Sequence, residues 1–135
     1  MLDAWYRTCD LGWLDEHANL FVVDRAKDMI VSGGENVYSV EVEDVLARHP
    51  EVAVFGVPDE RWGEAVHAVV VLRGAVDDEA SMVAELRAHC RATIAAYKVP
   101  KVIELRAEPL PKSGPGKVLK RAMRDPHWTG RVTQV

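Results

Sequence analysis

Cysteine is scarce in this chain. Cys9 and Cys90 are the only two, they lie far apart, and neither belongs to a CxxC pair. A disulfide framework and a cysteine zinc site are both excluded, and a reducing cytoplasm is the expected compartment. The five histidines, His17, His49, His67, His89 and His127, are scattered without ligand spacing and read as structural or surface residues. No metal site is expected. Basic charge is also short: the net charge is −4, which argues against a general nucleic-acid binder. No apolar run reaches the roughly 18 residues of a membrane span. The start, Met1-Leu2-Asp3-Ala4-Trp5, lacks the basic-then-apolar order of a signal peptide. Internal repeats and low-complexity stretches are missing too.

What remains is an ordinary globular composition, 135 residues with 48% apolar and 28% charged side chains. Folding a chain of this size buries roughly two-thirds of its unfolded surface. Trp5, Tyr6, Leu11, Trp13 and Leu14 arrive at once, without a polar lead-in. Bulky residues so placed need something to pack on, so the chain reads as a piece of a longer one.

The most constrained stretch is Pro111-Lys112-Ser113-Gly114-Pro115-Gly116-Lys117-Val118-Leu119-Lys120. Its prolines restrict φ, and its glycines permit a sharp turn. One ammonium, Lys117, stands at the turn, and the apolar stub behind it can dock on a core. The loop is not a Walker A motif: one residue separates Gly114 from Gly116, and Val118 follows the lysine.

The remaining chain alternates. Leu11–Leu14 and Leu20–Val23 read as a hairpin around the polar turn Asp15–Asn19. Asp24–Asp28 is a charged break, Met29–Val31 a short strand, and Ser32–Asn36 a glycine turn. A helix over Val40–Arg48 carries Val42, Val45 and Leu46 on one stripe, with acids in its first turns and His49-Pro50 after it. Val52–Val57 and Ala65–Leu72 are apolar strands separated by a turn-rich loop over Pro58–Glu64. Asp77 or Asp78 caps a second helix reaching Ile94, with Val83, Leu86, Cys90 and Ile94 on its apolar face. Lys101–Leu105 is a strand, Leu119–Arg124 a short basic helix, and the tail after Pro126 reads as unstructured. The expected class is α+β: hairpin, hinge, then β-α-β-β-α-β-loop-α, a roughly three-stranded sheet packed with helices.

Several segments, in this order, resemble the adenylate-forming enzymes, which include acyl-CoA synthetases, peptide-synthetase adenylation domains and luciferases. They are Tyr6-Arg7-Thr8-Cys9-Asp10, Asp24-Arg25-Ala26-Lys27-Asp28-Met29-Ile30, Ser32-Gly33-Gly34-Glu35-Asn36-Val37-Tyr38, Glu41-Val42-Glu43 and Gly116-Lys117. Val57-Pro58-Asp59, Gly63-Glu64 and Tyr97-Lys98-Val99-Pro100 extend the match. The resemblance implies the end of the large AMP-binding domain over 1–24, a hinge at 25–28, the mobile C-terminal domain over 29–126 and a tail over 127–135. It further implies an acid–thiol ligase that uses ATP and coenzyme A. A carboxylate attacks the α-phosphate to give acyl-AMP, and the thiol then displaces AMP while the small domain swings to present another face.

Roles follow by the same resemblance. Lys117 bridges substrate carboxylate and phosphate, Asp10 accepts from the ribose hydroxyls, and Arg25 contacts the ribose region. Lys27 is the hinge. Ser32, Gly33, Gly34 and Glu35 approach the pantetheine arm. Mg2+ is held mainly by the large domain, which also carries the ATP phosphate loop and the acyl pocket, so these 135 residues alone are expected to be inactive. Cys9 stands where the family usually has glycine, and Ser39 where proline is common. The leading expectation is a fatty- or aryl-acid–CoA ligase. The alternatives are an adenylation enzyme that loads a carrier-protein pantetheine, and a non-catalytic module docking through Trp5, Tyr6 and Trp13.

Overall fold

The computed structural model describes residues 5–131. Two strands, β1 (Asp10–Leu14) and β2 (Leu20–Arg25), form an antiparallel hairpin. Trp13 pairs with Phe21, and their rings stack at 4.5 Å. The hairpin turn is closed by the Asp15 carboxylate, which accepts from the backbone N–H of His17 and of Asn19 at 2.9 Å each. The charged stretch after it is not wholly a break. Asp24 and Arg25 continue β2, and only Ala26–Asp28 turn.

A five-stranded sheet follows, not a three-stranded one. Its strands are β3 (Ile30–Ser32), β4 (Glu35–Val37), β5 (Glu51–Asp59), β6 (Gly63–Val71) and β7 (Val102–Arg106). The order is β4-β3-β6-β5, and β7 runs parallel to β6. β6 is central, and its last eight residues are buried. A strand covered on both faces needs a near-continuous apolar run, which Ala65–Val71 supplies apart from His67.

The fourth strand went unread because Glu35-Asn36-Val37 shows no alternation and only Val37 is buried. The expected loop over Pro58–Glu64 is a tight turn instead. Pairing of β5 with β6 continues through Pro58↔Glu64 to Asp59↔Gly63. Asp59 closes the turn by accepting from the N–H of Arg61 and Trp62 at 2.9 and 2.8 Å. Proline is tolerated because β5 is an edge strand.

Helices α1 (Ser39–Val45) and α2 (Glu79–Thr93) pack on one face. Asp78 caps α2 by accepting from Ser81 N–H at 3.1 Å. The core there joins Ile30, Val42, Leu46, Val54, Val70, Leu86 and Cys90. On the other face Ala53, Phe55, Val69 and Val71 meet Leu110 and Met123, the latter from α3 (Lys120–Arg124). The tail is ordered where it was expected to be unstructured. Asp125–Trp128 forms a 3-10 turn, and the Trp128 indole donates to the Gly56 carbonyl at 3.0 Å. Pro126 opens a helical turn here, a position where its missing N–H is no loss. Residues 132–135 lie outside the described residues.

Candidate functional site

Asp10 and Arg25 face each other because β1 and β2 pair them in register. The Arg25 guanidinium lies 3.9 Å from the Asp10 carboxylate, and both side chains stay open to solvent. Cys9, just before Asp10, has φ +62, and its carbonyl accepts from Ala26 N–H at 2.8 Å. Cys9 thus holds the left-handed conformation that favours glycine.

The lysine loop is a narrow hairpin. Lys112 and Val118 bridge, Gly116 N–H donates to the Ser113 carbonyl at 2.9 Å, and Ser113 N–H donates to the Lys117 carbonyl at 2.8 Å. Gly116 closes the turn at φ +86. Val118 packs against the Phe55–Met123 cluster, so the backbone is anchored while the Lys117 side chain is exposed.

Asp10, Arg25, Lys27 and Lys117 line one cleft of about 670 Å³ between the hairpin and this loop. Six basic and three acidic side chains border it, although the whole chain carries −4. The local field favours an anion.

Four residues that sequence reasoning left out of the site hold this cleft together. Asp24 is buried and accepts from the Ser39 hydroxyl at 2.9 Å and from Val40 N–H at 3.4 Å. Lys120 donates to the Ser39 hydroxyl at 2.7 Å and pairs with Glu43 at 2.7 Å. Glu43 also accepts from Val54 N–H at 2.9 Å. Burial pushes the Glu43 carboxyl up, against the pull of Lys120. Ser39 and Glu43 sit four apart on α1, the spacing that puts both on one helical face, and that was the available signal.

Ser32, Gly33 and Glu35 lie elsewhere. They line a second cleft of about 670 Å³ with Trp62, Arg87 and Lys101, and Gly34 is not in its wall. Gly33 takes φ +60, and its N–H donates to the Trp62 carbonyl at 2.8 Å. A Cβ there would meet the Trp62 ring at 2.8 Å. Arg61 and Lys101 lie over the same ring at 4.7 and 4.9 Å. The expected residues therefore divide into two groups: a hairpin–lysine-loop cleft and a glycine-turn cleft.

Comparison with known proteins identifies the family. The family model described as AMP-binding enzyme C-terminal domain matches residues 41–117, ending on Lys117. A 2-succinylbenzoate–CoA ligase of Listeria monocytogenes is 41% identical over 129 residues, 93% of this chain and 26% of that protein. A long-chain-fatty-acid–CoA ligase of Yersinia pestis is 48% identical over 126 residues, 91% of this chain and 22% of that protein. Among solved structures, o-succinylbenzoate CoA synthetase from Bacillus subtilis, in complex with its acyl-adenylate intermediate, superposes with a TM-score of 0.79. It is 38% identical, over 93% of this chain and 25% of that one. The chain spans about a quarter of the length of the relatives it matches. On the extent of the family match, and with the fold and the order of motifs in agreement, the chain belongs to the AMP-binding enzyme C-terminal domain family.

Proposed function

We propose that this chain is the C-terminal part of an acid–CoA ligase and that its two clefts serve the two steps of that reaction. The observation that carries the reading is the convergence of Asp10, Arg25, Lys27 and Lys117 on one cation-rich cleft. Residues distant in sequence gather where an anionic nucleotide would need them.

The chemistry accounts for the residue types. Two anions, a carboxylate and a triphosphate, must approach, and charge builds on the phosphorus oxygens. A placed ammonium offsets both effects where water is excluded. Lys117 supplies it, on a loop whose backbone is fixed and whose side chain is free. Asp10 offers two acceptor oxygens, suited to a vicinal diol. Arg25 lies alongside it and serves the ribose region. Lys27, exposed in the turn after β2, is the hinge about which 29–126 swings relative to the hairpin. The turn over Ser32–Glu35 then meets the pantetheine arm, where bare glycine backbone allows close approach. Mg2+ falls mainly to the large domain in this reading.

The relatives are named as CoA ligases, which supports coenzyme A over a carrier-bound thiol as acceptor. A reducing cytoplasm is the compartment that goes with this reading, with two cysteines far apart in sequence. The test uses the longer protein that includes the large domain. Lys117→Ala should slow acyl-AMP formation by about 10²–10³-fold, the usual loss for one such charge-stabilising donor. Thioester formation from supplied acyl-adenylate should persist. An equal loss in both steps would reject the assignment. The 135-residue chain alone should release no pyrophosphate from ATP and acid.

A further inference from the structure

Asp24 is the penultimate residue of β2, ahead of the turn that joins hairpin to sheet, and Ser39 begins α1 beyond it. Their side chains meet across that turn in a fully buried contact at Ser39. The hydroxyl has one proton, and it goes to Asp24 at 2.9 Å. Its oxygen accepts from Lys120 at 2.7 Å, so both of its capacities are used. Lys120 lies three residues past Lys117 and is fixed from its other side by Glu43 at 2.7 Å. The turn itself is pinned by Arg124, which donates to the Lys27 carbonyl at 2.8 Å.

We infer that Ser39 is the pin of a polar clasp, Asp24–Ser39–Lys120, which holds the orientation in which the Lys117 loop faces Asp10. The geometry stands alone, and its meaning for catalysis rests on the two-step reading above. Rotation about the Ala26–Asp28 turn carries Ser39 away from Asp24 and must break the Ser39 and Val40 bonds to that carboxylate. Because these bonds are buried, no water replaces them until the clasp has opened. The clasp therefore biases the chain toward the Lys117 orientation and opens for the other. A proline at this position would have no hydroxyl and could not make the link. Ser39 touches no substrate; it is a positioning residue.

The decisive measurement is a distance across the turn in the full chain. Cys9→Gly removes the exposed thiol, and Glu16→Cys with Glu108→Cys adds one spin label to the hairpin tip and one to the sheet domain. Double electron–electron resonance should give a single narrow distance in this parent. Ser39→Ala should add a second distance, moving the ratio of the two populations about tenfold, the size of effect expected for losing a buried bond to a charged group. Asp24→Asn should do the same, Lys117→Ala should not, and thermal melts should show every variant folded. An unchanged distribution in folded Ser39→Ala and Asp24→Asn overturns the clasp, as does an equal change in Lys117→Ala. In the longer protein, Ser39→Ala should lower the ratio of adenylation to thioester rates about tenfold, with KM for the acid unchanged. An unchanged ratio overturns the catalytic bias. A parent protein without adenylation refutes the ligase reading instead and leaves the distance result to decide the clasp.

Discussion

Cys9 illustrates what one residue reveals. A side chain at φ +62 costs roughly 1–2 kcal/mol relative to glycine. Cys9 is exposed, so its side chain offers little packing in return. Cys9→Gly should therefore raise stability by about 1 kcal/mol. A higher melting temperature, and slower exchange of the Ala26 amide that bonds the Cys9 carbonyl, would show it. Asp10, Arg25 and Lys117 were readable in the sequence because each carries its chemistry in its type and stands in a recognisable neighbourhood. Ser39 and Lys120 were not, because their contact joins positions 81 apart and depends on where the fold brings the first residues of α1 and α3 together.

Elements were legible in proportion to their hydrophobic pattern. β6 announced itself by an apolar run, α2 by its stripe and its cap, and the hairpin by two apolar stretches around a polar turn. Three-residue strands have no period to detect, so β4 passed as part of a turn. The turn it forms with β3 makes its own prediction. Gly33→Ala meets the Trp62 ring as well as an unfavourable φ, whereas Gly34→Ala at φ +81 meets open space. Both should lower the melting temperature, Gly33→Ala the more, and only Gly33→Ala should disturb Trp62 fluorescence. Equal losses would mean that the ring simply moves aside. At the other end of the sheet, Asp78→Ala should cost about 1 kcal/mol by removing the α2 cap, measured by denaturant unfolding.

At the scale of the whole molecule, the family was recoverable from several weak motifs in one order. The two-cleft arrangement was not, since it depends on which loops the sheet brings together. The sheet's second face also sets a pH dependence. His67 is buried between Phe55 and His127, at ring distances of 5.1 and 5.2 Å, and reaches Glu104 at 3.3 Å. Burial holds its folded pKa below the ordinary 6.5, with Glu104 opposing. The unfolded chain then binds the proton more readily, so this contribution is present above about pH 6.5 and is lost as pH falls through the folded value. His49, also lowered by burial, acts with the same sign. The melting temperature should fall between pH 7 and pH 5, and His67→Phe should lessen that fall without abolishing it. One last feature is the outer strand β5, whose Val54 N–H goes to Glu43 and whose Gly56 carbonyl goes to Trp128. Bare edge strands are templates on which other chains can grow. The tail that read as unstructured in the sequence thus covers part of this edge, and cutting the chain before Trp128 would be expected to show first as concentration-dependent self-association, visible by light scattering.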